Sequence, residues 1–173
     1  HLGTRLTAEQ IVELHHTASA QNATLLACPP WEAARLTADI APNWASQCAE
    51  LPHTAIATVY LQCKDAEFKG LLRPMMALHS EAKAPAQFVF DKGLLSNQPR
   101  LLAAVVSACA TERGLVAEQV RAQVGEQLGL KDLEILQTVV EKRATLACTP
   151  MLDRPESFVA KGLWACGDYI CGP

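Results

Sequence analysis

The sequence predicts an α+β fold: a mixed, largely antiparallel sheet with helices packed on one face. Three features predict it. Apolar, β-branched runs cluster between residues 54 and 109, one long helix-periodic stretch follows them, and the loops between runs are short and polar.

In chain order, "HLGTRL" reads as a strand at the start. "NATLLACPPWEAARLTADI" reads as a short buried strand, a double proline and a helix. Pro30 suits the first helical turn, where its missing N–H has no intrahelical partner to lose. "APNWASQCAELP" is a short helical or turn segment between Pro42 and Pro52. In "TAIATVYLQC", Ile56, Thr58 and Tyr60 alternate with Ala57, Val59 and Leu61, the two-residue period of a strand. "PMMALHS", "AQFVFDKG" and "RLLAAVVSACA" predict three further strands joined as a meander. "LLAAVVSA" is apolar on both faces, which marks a central strand covered on two sides. In "TERGLVAEQVRAQVGEQLGL", Val116, Val120, Val124 and Leu128 recur every fourth residue, and Gly129 supplies the stop. "EILQTVVEKRATLACTP" predicts a long strand, "MLDRPESF" a polar loop and "GLWACGD" the last strand.

Composition narrows the function. The chain has 173 residues, enough for one well-buried core or one domain and part of another. Half the residues are hydrophobic and 19% are charged, which excludes a disordered chain. A net charge of -3, with no basic cluster, excludes a nucleic-acid partner, because nothing would neutralise phosphates. The longest apolar runs are about half of the roughly 20 residues that a membrane helix needs. The seven cysteines, odd in number and without a CxxC pair, sit mostly in apolar runs. That is the pattern of free thiols in a reducing, cytoplasmic compartment and predicts no metal. Neither GxGxxG nor a P-loop is present, so no phosphate cradle is encoded in these residues. The adjacent His15 and His16 point apart on either a strand or a helix, which disfavours joint chelation.

Three stretches, "LLACPPWEAARL", "VVEKRATLACTP" and "GLWACGDYICGP", together resemble the flavin-containing amine oxidase and phytoene-desaturase superfamily. The resemblance is closest to its squalene-associated FAD-dependent desaturase branch, the hydroxysqualene dehydroxylases. "HLGTRL", "AIATVYLQ" and "QFVFDKGLL" followed by "LLAAVVSA" are similar to that branch in the same order, so the likeness touches nearly the whole chain. It implies the C-terminal part of a longer protein. Residues 1–30 would be a remnant of an FAD-binding domain, residues 31–150 a substrate-binding domain, and residues 151–173 a strand returning to the FAD-binding domain.

The same resemblance implies a cofactor, FAD, held only by the full-length protein. Gly167 would let the backbone approach it, and Asp168 would accept a hydrogen bond from a sugar-like hydroxyl. Taken alone, Gly167-Asp168 reads as a turn pair after a strand. Leu6 would lie on the strand beside the adenine, and Cys28, Pro29 and Pro30 at a corner near the cofactor. That corner reads equally well as a plain strand-to-helix turn. The implied substrate is a long hydrophobic isoprenoid, lying along an aliphatic sheet. The implied reaction is reductive dehydroxylation of hydroxysqualene, with Asp91 and Glu141 as candidate acids for the departing hydroxyl. For each carboxylate the plainer reading is a solvated or salt-bridged group. A carotenoid or phytoene-type desaturase, an amine oxidase, and a non-catalytic lipid-binding module are the alternatives. An isoprenoid substrate also leaves room for peripheral contact with the inner membrane.

Overall fold

The computed structural model describes residue 9, residues 23–110 and residues 112–170. Leu6, the two adjacent histidines and Cys171 lie outside them. The chain divides into two compact units, one of residues 53–145 and one of residues 1–52 with 146–173.

In the central unit the alternation that predicts strands also sorts their side chains. Strands β2 (His53–Cys63), β3 (Met75–Ala77), β4 (Phe88–Asp91), β5 (Leu101–Val106) and β6 (Leu133–Leu146) form one sheet in the order β3-β4-β5-β2-β6. β3, β4, β5 and β2 pair antiparallel throughout. Lys64 N–H donates to the Asp132 carbonyl and Ala147 N–H to the Pro52 carbonyl, so β6 runs antiparallel to β2 as well. β5 is central, as its two-sided apolar character predicts, but a helix covers only the face of Leu102, Ala104 and Val106, and Leu101 and Val105 on the other are half-buried.

Register aligns Val89, Ala104 and Val59 across one face, and Asp91 with Leu102 on the same side. The helix Arg113–Leu128 covers this face. Val116, Val120 and Val124 are wholly buried against Ala57, Val59 and Leu61, each burial contributing about 1.5–3 kcal/mol. The helix stops at Gly129, whose φ of 65° is left-handed, and Leu130 N–H closes the end on the Gly125 carbonyl.

Two glutamines tie this helix to the loop before β4. Gln123, 3% exposed, accepts from Ala86 N–H and donates to the carbonyls of Ala86 and His79. One turn on, Gln127 both accepts from and donates to the His79 backbone. A fully engaged amide costs little to bury.

The other unit is built on a corner. Strand β1 (Thr24–Leu26) pairs parallel with β8 (Leu163–Ala165), and β8 pairs antiparallel with β7 (Phe158–Ala160). Helices α1 (Pro30–Thr37) and α2 (Pro42–Glu50) contribute Ala33, Leu36, Trp44 and Cys48 to its core, together with Leu163, Ala165 and Tyr169. Trp44 satisfies its indole N–H on the Glu156 carbonyl. Both proline-led helices bury their apolar sides with β1 and β8, within the unit of residues 1–52 and 146–173.

Two short elements have no counterpart in the sequence reading. One is β7. The other is a helix of five residues, α3 (Lys92–Ser96), between β4 and β5; the long helix Arg113–Leu128 is therefore α4.

Candidate functional site

Parallel pairing of β1 with β8 brings two of the sequence-predicted segments together. Leu26 stands opposite Ala165, and Cys166 N–H donates to the Leu26 carbonyl, so both strands end on the same side. Cys28-Pro29-Pro30 leaves one strand there and Gly167-Asp168 leaves the other. The carboxyl ends of parallel strands are where α/β proteins place ligands.

The chemistry at this corner is specific. Asp168 is exposed, and its carboxylate makes no hydrogen bond or ion pair among the described residues; only its backbone carbonyl is engaged, by Arg154. Gly167 has a φ of 155°, and a Cβ built on it would stand 2.7 Å from the Tyr169 ring. Glycine is required there by the protein's own packing. Tyr169 is 1% exposed, and its hydroxyl finds no partner among the described residues. Burial, reinforced by Cys28, Cys48, Cys166 and Asp168, pushes its hydroxyl well above the usual tyrosine range. Burial, then Glu32 and Cys166, raises the Cys28 thiol, with Arg35 opposing. Burial, then Cys28, pushes Cys48 up to about 12. These thiols are neutral near pH 7 and hence weak nucleophiles.

The first turn of α1 is no phosphate cradle. Pro29 and Pro30 have no N–H, and those of Glu32 and Ala33 close on the Pro29 carbonyl. Glu32 adds a carboxylate in the same turn. This corner therefore suits a neutral, hydroxyl-bearing part of a ligand facing Asp168, and disfavours a pyrophosphate.

In the central unit, Asp91 is 1% exposed and its carboxylate is a junction. Oδ2 accepts from Leu71 N–H at 2.6 Å; Oδ1 accepts from Gly93 N–H at 2.8 Å and Leu94 N–H at 3.2 Å, capping α3. Asp91 also donates its own N–H to the Pro74 carbonyl. These bonds give it a scaffolding task. Glu141 is exposed on β6 and accepts from Arg143 N–H at 3.0 Å. Three strand steps separate β4 from β6, about 14 Å at the usual spacing, so the two carboxylates do not form a pair.

The sheet face opposite α4 carries a feature that sequence alone did not isolate. Register aligns Met75, Phe90, Ala103 and Tyr60 in one row across four strands. Phe88, Val105 and Thr58 form the next row. Phe88 is 40% exposed, while Phe90, Val105 and Tyr60 are half-buried. The signal was in the sequence, as the second set of alternating residues, but both sets are apolar and only pairing shows which is covered.

The chain is α+β, with an antiparallel sheet covered by a helix in one unit and a parallel strand pair in the other. It matches part of the crystal structure of a provisionally assigned protoporphyrinogen oxidase from Exiguobacterium sp. 255-15, with a TM-score of 0.55 at 14% identity. The match covers 86% of this chain and 36% of that protein's length. No protein-family model matches the chain, and no curated protein is significantly similar to it.

Proposed function

We propose that the chain is the substrate-domain portion of an FAD-dependent oxidoreductase acting on a long isoprenoid. The observation that carries this reading is the fold shared with an oxidase over 86% of the chain. The ordered sequence resemblance to the squalene-associated desaturase branch supports it independently.

In this reading the corner formed by residues 28–30 and 167–168 faces the cofactor. Asp168, exposed and unengaged, accepts a hydrogen bond from a ribityl or ribose hydroxyl. The pyrophosphate belongs elsewhere, on a part of the full-length protein that carries a phosphate cradle. Reduced flavin, when bound, would supply a hydride and a proton, so that hydroxysqualene would give squalene and water. The row Met75, Phe90, Ala103 and Tyr60 forms an apolar wall along which the hydrocarbon lies and from which water is excluded. A protonated carboxyl group would relay that proton to the leaving hydroxyl. Glu141 is accessible for it, whereas Asp91 would have to surrender a backbone partner.

The test is an absorbance spectrum of the full-length gene product, followed by anaerobic reduction and addition of hydroxysqualene. A flavin spectrum with substrate-dependent reoxidation supports the reading. A flavin spectrum without reoxidation, but with reduction by a carotenoid precursor, moves it to the desaturases. A colourless full-length protein sinks the class and leaves a lipid-binding module.

A further inference from the structure

We propose that Cys28 and Cys166 form a redox latch, a thiol pair that hydrogen peroxide joins as a disulfide across the open ends of β1 and β8. The inference goes beyond the flavin reading and does not depend on it.

Backbone register brings the two cysteines within reach of one another. The parallel ladder pairs Leu26 with Ala165, and Cys166 N–H donates to the Leu26 carbonyl at 2.9 Å, so pairing continues one step past the strands. That register sets residue 27 opposite Cys166 and places Cys28 on the diagonal. With strands about 4.8 Å apart and a rise of about 3.3 Å per residue, the two Cα atoms stand about 6 Å apart. Disulfides span Cα separations of about 4.4–6.8 Å. In a continuing strand, neighbouring register positions would send the two side chains to opposite faces. The chain bends at Cys28, ahead of Pro29, and the alternation ends there. Cys28 packs against the core that holds Tyr169. Cys166 raises the Cys28 thiol, and both raise the buried Tyr169 hydroxyl, which gathers the two sulfurs around one ring.

Exposure selects this pair. Cys28 and Cys166 are half-buried, open enough for a small oxidant. Cys48 also neighbours Cys28, but it is 1% exposed within the core. Cys148 is exposed, and its sulfur is turned to the Arg154 guanidinium, 3.9 Å away. Burial keeps Cys28 neutral near pH 7, which suits it to the second of two steps. In the first, the Cys166 sulfur attacks the peroxide, the O–O bond breaks, and a sulfenic acid and one water result. In the second, the Cys28 sulfur displaces that oxygen as a second water, and the S–S bond forms. The two thiols lose two electrons and two protons, and the peroxide is reduced to water. In the reducing compartment that the cysteine pattern predicts, such a bond is transient and responds to oxidant. It closes a loop of more than 130 residues, which restricts the unfolded chain strongly.

The test is mass mapping of the full gene product after hydrogen peroxide treatment under native conditions, with remaining thiols alkylated before digestion. We expect Cys28 and Cys166 in one linked species, two hydrogen atoms lighter than the separate peptides and split by dithiothreitol. Cleavage ahead of Asp168 separates Cys166 from Cys171. Cys28→Ser or Cys166→Ser should abolish the link, and Cys171→Ser should leave it intact. The oxidised protein should melt at a higher temperature than the reduced one, a shift that Cys28→Ser should lose. Unchanged far-ultraviolet circular dichroism establishes that the variants fold. Recovery of both thiols unlinked overturns the proposal, as does either of them joined to Cys48, Cys148 or Cys171. An oxidised protein that melts no higher than the reduced one also overturns it.

Discussion

β4 ends on an aspartate and β8 is followed by one three residues on, and the two aspartates do opposite things. β4 delivers Asp91 into the interior, where backbone N–H groups occupy both oxygens. β8 ends beside Gly167-Asp168, and the Asp168 carboxylate faces solvent without a partner among the described residues. The difference follows from the sheets that hold them. An antiparallel strand turns back on itself, so an acid at its end is at hand to cap the next turn. Two parallel strands must each leave by a crossover, so their ends open a corner and leave polar groups for something else to meet.

The sharpest way to break this comparison is at the corner's glycine. Gly167→Ala should destabilise the protein by about 2–5 kcal/mol, combining backbone strain with overlap on the Tyr169 ring. Gly129→Ala is the matched control. Its φ is also positive, but nothing lies within 4 Å of the added Cβ, so about 1 kcal/mol is expected. Equal thermal shifts for the two variants would show that the Tyr169 contact does not fix the corner.

The aspartates come next. Asp91→Ala should cost about 2–4 kcal/mol in denaturant unfolding, from a lost cap and an unpaired Leu71 N–H. Asp168→Ala should change stability by less than about 0.5 kcal/mol, and under the proposed function it lowers flavin retention in the full-length protein. A reversal of that order would reassign the two acids.

Gln123→Ala extends the comparison to the helix-covered face. It strands the Ala86 N–H and carbonyl and should cost about 2–3 kcal/mol. Gln127→Ala, exposed, should cost well under half as much.

The smallest effect concerns the thiols. Cys48 has an unfolded value of about 9 and a folded value pushed up to about 12 by burial. The sign follows: the neutral thiol's contribution is complete below about pH 9 and is lost as pH rises toward 12. An alkaline fall in melting temperature, reduced in Cys48→Ala, is the expected result. At pH 8.5, alkylation should take the exposed Cys148 well before Cys48.

Much of the fold was legible because period and side-chain type are local properties. The alternation in β2, the four-residue spacing of Val116, Val120 and Val124, and the proline start of α1 all appear where they were read, and of the helix or turn left open between Pro42 and Pro52 a helix forms. β7, with three residues, is too short to carry a period. α3 has a sequence signal, an aspartate followed by "KGLLS", but β4 ends on the same aspartate and conceals it. Gln123 was also within reach: it lies three residues after Val120 and beside Val124, on the stripe that must be buried.

The candidate corner was legible only in part. Residues 28–30 and 167–168 were singled out separately, and their meeting depends on a parallel pairing across more than 130 residues, which no local pattern encodes. Sequence by itself determined which residues alternate, which helix has an apolar stripe and which glycines end an element, because neighbouring bonds and side-chain burial set those choices. Tertiary structure alone decided the order β3-β4-β5-β2-β6, the half-buried aromatic row, and which aspartate is buried. The physical reason is that those outcomes depend on which distant backbone groups complete a hydrogen bond, and two chemically identical carboxylates differ only in the partners the fold brings to them.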